Sequence, residues 1–385
     1  MEDSLPWKVN TVELQRESIC YRIRHEGLSV AQAAREAQVS RKTIYKFLAR
    51  KRADPAAVLQ DRSRRPRSSP LRSEAELEQA VLTLREAHRW GSRKIHTILK
   101  NQGTTPLCSI RTITTILNRH GRISSQPGVT EDESIQSSFE RPAPNDLWQV
   151  DHKGPVEIGR VKHHPWTVID DYSRFCLCFE PLTEKSLAFA WPVLWECFGK
   201  YGLPEEILSD GAFADRGTGI SQFDQRLIRL GIKPIHGRPY HPQTQGKVER
   251  LHRTIDWELL SFNGRTDSMQ HFVIDRNCWQ ETYNYLRPHE SLDDQPPISR
   301  YLPSRRKRPE EIPPMTYESA DLLRRVSQVG DIYYHRKRIF VGRALARQQV
   351  KLQEDDKTLE IYYGPALLRV IQLEVLSEKR HNQIV

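Results

Sequence analysis

The sequence predicts a multidomain chain with three architectures in series: all-α helix-turn-helix domains at the N-terminus, an α/β core, and a small all-β C-terminal domain. Three observations predict it. Capped segments of helical periodicity recur twice in residues 10–122. Between 146 and 299, short apolar runs alternate with helical ones, and two runs finish on an aspartate. From 325 to 377, short alternating segments are separated by turn residues such as VGD and EDDK.

Residues 10–52 read as three short helices. Ser29 precedes AQAAREA with Gln32 three positions on, a capping-box signature. Ser40 opens RKTIYKFLAR, whose apolar face is Ile44, Phe47 and Leu48, leaving Arg41, Lys42, Tyr45 and Lys46 off it. Two short helices joined by the tight AQVS turn make a helix-turn-helix whose second helix would enter the major groove. Gln38 stands where such turns often carry glycine, so strain is expected there. Residues 53–72 form a basic linker, with Arg62, Arg64, Arg65 and Arg67 placed to follow phosphates or enter a minor groove. Residues 1–72 hold 16 Lys and Arg against 8 Asp and Glu, most of the basic excess of the chain.

Residues 73–122 repeat the helical theme. SEAELEQAVLTLREAH is read as capped by Ser73 with Glu76, and GSRKIHTILKNQG as ended by Gly103. SIRTITTILNRHG is read as capped by Ser109 and ended by Gly121, with Arg111 and Thr115 available for contact. This is a second helix-turn-helix domain. A polar linker, 123–145, leads into the core at 146–299.

In the core, LWQVD ends in Asp151 and EEILSD in Asp210, as buried strands do when their ends open onto a site. GKVERLHRTIDWEL follows a proline-bearing loop. Val248, Leu251, Ile255 and Leu259 form its apolar face, with Glu249 on the first turn, where a helix N-terminus favours a carboxylate. The intervals are 58 and 38 residues. Two strand-end aspartates and one helical glutamate supply hard oxygen ligands for Mg²⁺, and two such ions can clamp an in-line phosphodiester displacement. Lys247 and Arg250 flank Glu249 as candidate phosphate contacts. Asp170 and Asp171 also follow a strand and are read as turn-forming acids, while His152 and His241 are left out of the catalytic set. A basic proline-containing linker, 300–324, precedes the last domain, 325–385.

Four pieces, LWQVD, TVIDDYSRF, YGLPEEILSDGA and HPQTQGKVERLHRT, together resemble the catalytic core of the retroviral-integrase superfamily, in particular bacterial insertion-sequence transposases of the DDE type. The resemblance spans Trp148 to Thr254. It implies a ribonuclease-H-like fold, Asp151, Asp210 and Glu249 as the catalytic and metal-binding acids, and two Mg²⁺ or Mn²⁺ ions. The implied chemistry is cleavage of transposon ends and joining of the freed 3′-OH to target DNA. It also implies an SH3-like C-terminal barrel, and self-association as a dimer or higher oligomer, since two ends must be paired. The His-Cys zinc module of retroviral integrases is not present in the N-terminal part.

Composition agrees with a nucleic-acid partner. The formal net charge is +10 over 385 residues. No apolar run approaches the roughly 18 residues that span a membrane, and MEDSLPWKVN lacks a signal pattern. Six cysteines without a CxxC pair suit a reducing cytoplasm, and the resemblance implies a bacterial cell. Two other readings stay open: a DNA-binding regulator with an inactive core, and a ribonuclease-H-like nuclease that hydrolyses without joining.

Overall fold

The computed structural model describes residues 12–61, 73–123, 140–209, 220–237, 246–261 and 266–373. Arg62, Arg64, Arg65, Arg67, Asp210 and His241 lie outside them. The chain divides into two compact units, Met1–Arg72 and Ser73–Val385.

The first unit holds α1 (Val12–His25), α2 (Val30–Glu36) and α3 (Arg41–Ala53). The expected capping box is present, with Ser29 accepting from the Gln32 amide and Gln32 from that of Ser29. Ser40 caps α3 through the Thr43 amide. Gln38 adopts φ +52°, so the turn does require a left-handed residue and a glutamine fills it. Cys20, Ala33, Ile44, Phe47 and Leu59 form the small core. Arg41, Lys42, Tyr45 and Lys46 are all exposed on α3.

The second unit opens with α4 (Ala75–His88), α5 (Ser92–Asn101) and α6 (Ile110–Arg119) around Val81, Trp90, Ile95, Ile113 and Ile116. Ser109 caps α6 as expected. Ser73 does not cap α4. The helix starts one residue later than read, Glu74 takes the cap position, and no side chain there receives a hydrogen bond.

The core sheet runs β4 (Cys176–Leu182), β3 (Val161–Asp170), β1 (Leu147–His152), β5 (Glu206–Ser209), β6 (Lys233–His236), with β2 (Val156–Ile158) pairing the start of β3. The first three of these are antiparallel, and β1, β5 and β6 are parallel. Both faces are covered. Against one lie α7 (Leu187–Tyr201, continuous through Pro192) and α8 (Gln222–Arg229), which bury Trp148, Val150, Trp166 and Val168. Against the other lie α9 (Gly246–Ile255) and α10 (Met269–Tyr285), which bury Ile169, Cys176 and Phe179 with Val248, Leu251 and Ile255.

Residues 300–324, read as a linker, are laid along the core. The Arg306 guanidinium donates to the carbonyls of Pro204, Leu230 and Gly231, and Arg308 stacks over Trp195 at 4.7 Å. Gly202, at φ +82°, leaves room for Ser304, whose carbonyl oxygen would stand 2.7 Å from any Cβ there. The C-terminal strands form two sheets. One is four-stranded, ordered β12 (Ala366–Gln372), β11 (Thr358–Tyr363), β10 (Gln349–Glu354), β7 (Leu322–Arg325); the other is the hairpin of β8 (Asp331–Tyr334) and β9 (Lys337–Phe340). They enclose Ile332, Val350, Leu359, Ile361 and Tyr363, together with Ile220 and Ile228 contributed by the core.

Candidate active site

Strand β1 alternates. Trp148 and Val150 enter the core under α7, so Gln149 and Asp151 face α9. The pairing agrees, since Gln149 stands opposite Ile169 and Asp151 opposite Thr167, and Ile169 is buried under α9. The Asp151 side chain retains 16% exposure at the end of the strand.

Two side chains of α9 tie it to this face. Lys247 Nζ lies 2.6 Å from Asp171 Oδ1, and His252 Nε2 lies 2.7 Å from the Thr167 hydroxyl. Thr167 donates in turn to the Asp151 carbonyl at 3.0 Å. His252 Nδ1 is 3.9 Å from Asp151 Oδ2. Burial, assisted by Lys153, pushes the His252 pKa down to about 4, so near neutral pH the imidazole faces Asp151 uncharged. Glu249 is exposed on the first turn of α9, three residues before His252, and such pairs share a helix face. The helix therefore holds Glu249 one turn from the side chain that lies against Asp151.

Asp210 lies outside the described residues. Its predecessor Ser209 ends β5 beside Val150, the residue before Asp151. Ser209 is itself held, with its hydroxyl 3.3 Å from His236 Nδ1, while His236 Nε2 is 3.0 Å from Asp224 Oδ1. Among the described residues no three acids, histidines or cysteines are gathered as a metal-holding group. Asp151 and Glu249 nevertheless offer the oxygen donors that suit Mg²⁺ or Mn²⁺.

The turn-forming acids have structural partners. Asp170 accepts from the Ser173 amide at 2.8 Å, the Ser173 hydroxyl at 2.5 Å and the Asn145 amide at 2.7 Å. Burial raises its pKa against those hydrogen bonds. Asp171 accepts from the Arg141 amide and from Gln149 Nε2, both at 2.8 Å, besides Lys247. Lys247, read as a phosphate contact, is 14% exposed and spends its charge on Asp171. Its position pins the helix rather than meeting solvent. Arg250 and Arg111 are exposed.

Sequence reasoning sets His252 among the bases around Glu249 without its contact to Thr167 and Asp151, and it misses Thr167 and the Lys153–Asp256 pair, 2.6 Å apart. His252 was findable from its spacing to Glu249. Thr167 was findable only through the strand register.

Comparison with known proteins places these elements in a family context. Residues 141–242 and 230–297 match two families described as Integrase core domain, and residues 43–117 match a Homeodomain-like domain. The chain is 34% identical over 116 residues to the Gag-Pro-Pol polyprotein of mouse mammary tumor virus (strain BR6), covering 30% of this chain and 6% of that one. It is 35% identical over 112 residues to the Gag-Pro-Pol polyprotein of Mason-Pfizer monkey virus, covering 29% and 6%. The chain thus spans only a small part of the curated relatives it matches. Among solved structures it is similar to the HTLV-2 integrase catalytic core domain in complex with magnesium, at 16% identity over 42% of this chain and 99% of that one, with a TM-score of 0.34. It is also similar to the simian T-cell lymphotropic virus intasome in complex with PP2A regulatory subunit B56 gamma, at 16% identity over 76% and 96%, with a TM-score of 0.39. The integrase core domain matches thus lie behind a helical region with a homeodomain-like match, and no described helix is long and apolar enough to cross a membrane.

Proposed function

We propose that this protein is a DNA transposase that binds the terminal repeats of its own element, cleaves the ends and joins the freed 3′-OH to target DNA. The observation that carries the reading is the placement of Asp151, half-buried near the end of β1, on the face covered by the helix that bears Glu249. Integrase core domains belong to the polynucleotidyl transferases, and the match covers both residues.

Asp151, Asp210 and Glu249 are assigned as the acids that would hold two Mg²⁺ or Mn²⁺ ions. When bound, such ions make water acidic and neutralise charge on the attacking and leaving oxygens. The residues of the chain do the positioning. Lys247 and His252 hold α9 on the sheet, and with it Glu249; the Thr167 hydroxyl links that helix to the Asp151 backbone. The exposed Arg41, Lys42, Tyr45 and Lys46 of α3 and Arg111 of α6 would contact duplex DNA, with Arg250 meeting phosphate near the reacting centre. Arg62, Arg64, Arg65 and Arg67 would extend that contact along the backbone. Self-association as a dimer or higher oligomer would pair the two ends.

The test is a duplex carrying the terminal sequence of the encoding element, incubated in Mg²⁺ with wild type, Asp151→Asn and Glu249→Gln. Nicked ends and strand-transfer product from the wild type alone support the transposase. Nicking without joining points to a nuclease. Binding by all three without cleavage by any points to a DNA-binding regulator.

A further inference from the structure

Directly after α9 the helix widens into a π turn, Asp256–Leu260. Such turns are rare inside α-helices and occur frequently at functional sites. Here three consecutive residues reach three different elements. Asp256 Oδ1 takes Lys153 Nζ at 2.6 Å, two residues beyond Asp151. Glu258 takes Arg287 Nε at 2.8 and 3.1 Å. Trp257 meets the helix-turn-helix of residues 73–122: its indole N–H donates to the Arg89 carbonyl at 3.3 Å, and the Arg89 guanidinium lies over the ring at 4.9 Å. Arg89 ends α4 in a left-handed conformation, φ +56°.

A second contact lies on α5. Arg93 Nη1 donates to Glu290 at 2.5 Å, and its Nε donates to both oxygens of Asp294 at 3.1 and 3.2 Å. One guanidinium thus bridges two carboxylates of the segment that follows α10. Meanwhile Arg111, Thr115 and Asn118 on α6 stay exposed. The helix-turn-helix is seated on the core by α4 and α5, while the helix that would read bases faces solvent.

We infer that the helix-turn-helix of residues 73–122 and the core form one rigid unit, and that their seam sets which phosphodiester is cut by fixing the distance from the bases under α6 to the acids. The ligand of the composite surface is a continuous stretch of duplex DNA. The inference rests on the transposase reading for its chemistry. The Arg93 pairs are half-exposed, and ion pairs of this kind are individually weak. Reversing one charge should therefore release the module without unfolding either side.

The experiment uses the full chain in two settings. Wild type, Arg93→Glu, and Arg93→Glu combined with Glu290→Arg and Asp294→Arg are compared for the position of the cut on terminal DNA. The same changes in a Glu249→Gln background are compared by hydroxyl-radical footprinting. The expected result is one cut position and one unbroken footprint for wild type. Arg93→Glu should spread the cut over several phosphodiesters and break the footprint, and the charge-swapped protein should restore both. An unchanged cut and footprint in Arg93→Glu overturns the inference, and so does a spread that the swap fails to reverse. Should no protein cut, the transposase reading fails while the footprints still decide whether the seam holds.

Discussion

Lys247 Nζ stands 2.6 Å from Oδ1 of Asp171, and the aspartate is 1% exposed. Burial, with help from Arg174, lowers the lysine pKa against the pull of Asp171. Removing one partner strands the other charge, so Lys247→Met should destabilise the protein by about 3 kcal/mol. With Asp171→Asn already present the same change should cost much less. Urea unfolding of the four proteins measures the coupling. Equal losses in both backgrounds would mean that the pair does not pin α9.

Arg41, Lys42, Tyr45 and Lys46 are exposed on α3, outside the apolar cluster of Cys20, Phe47 and Leu59. Arg41→Ala or Lys46→Ala should leave thermal stability unchanged and weaken binding to terminal DNA. Each should lower the salt dependence of binding, as a log–log slope, by about 1 for each phosphate that is no longer neutralised. Titrations at several salt concentrations test this, and an unchanged slope would remove these residues from the interface.

Lys94, next to Arg93 at the seam, has its pKa lowered to about 8 from 10.5, first by burial and then by Arg287. Below pH 8 the lysine is charged both folded and unfolded, and the full penalty stands. Between 8 and 10.5 the unfolded chain holds more protons than the folded one, so wild-type stability from this group rises with pH. Lys94→Met should therefore melt a few degrees above wild type at pH 7, with the gap closing by pH 10. A gap that widens with pH contradicts the assignment.

Gln38 holds φ +52° in the turn between α2 and α3. A left-handed conformation costs a residue with a Cβ about 1 kcal/mol relative to glycine. Gln38→Gly should slow amide exchange in α2 and α3. Faster exchange would show that the glutamine is favoured there by something other than backbone conformation.

Much of this was legible in the sequence for identifiable reasons. Caps at Ser29, Ser40 and Ser109 are local events, decided by a hydroxyl and an amide three residues apart. The alternation that puts Asp151 opposite the Trp148 and Val150 face is local too. What could not be read depends on residues distant in sequence. Lys247 reads as a phosphate contact because its partner is 76 positions earlier, and nothing nearby announces Asp171. Residues 300–309 read as a linker because arginine and proline are common in linkers. Several of their hydrogen bonds go to backbone carbonyls of α7 and of the segments that follow α7 and α8, which carry no side-chain signature.

That strap has a thermodynamic consequence. Tyr301 is buried with the core residues under α7, Arg229 of α8 donates to the carbonyls of Ile312 and Pro313, and Ile220 and Ile228 complete the interior of the C-terminal sheets. No truncation boundary exists between the core and those sheets that leaves both with a closed interior. A fragment ending near residue 300 would carry bare isoleucine surface into water, and a fragment beginning there would lack part of its own filling. The two halves should melt in a single cooperative transition, and the smallest autonomously folding piece that retains the acids should extend through β12.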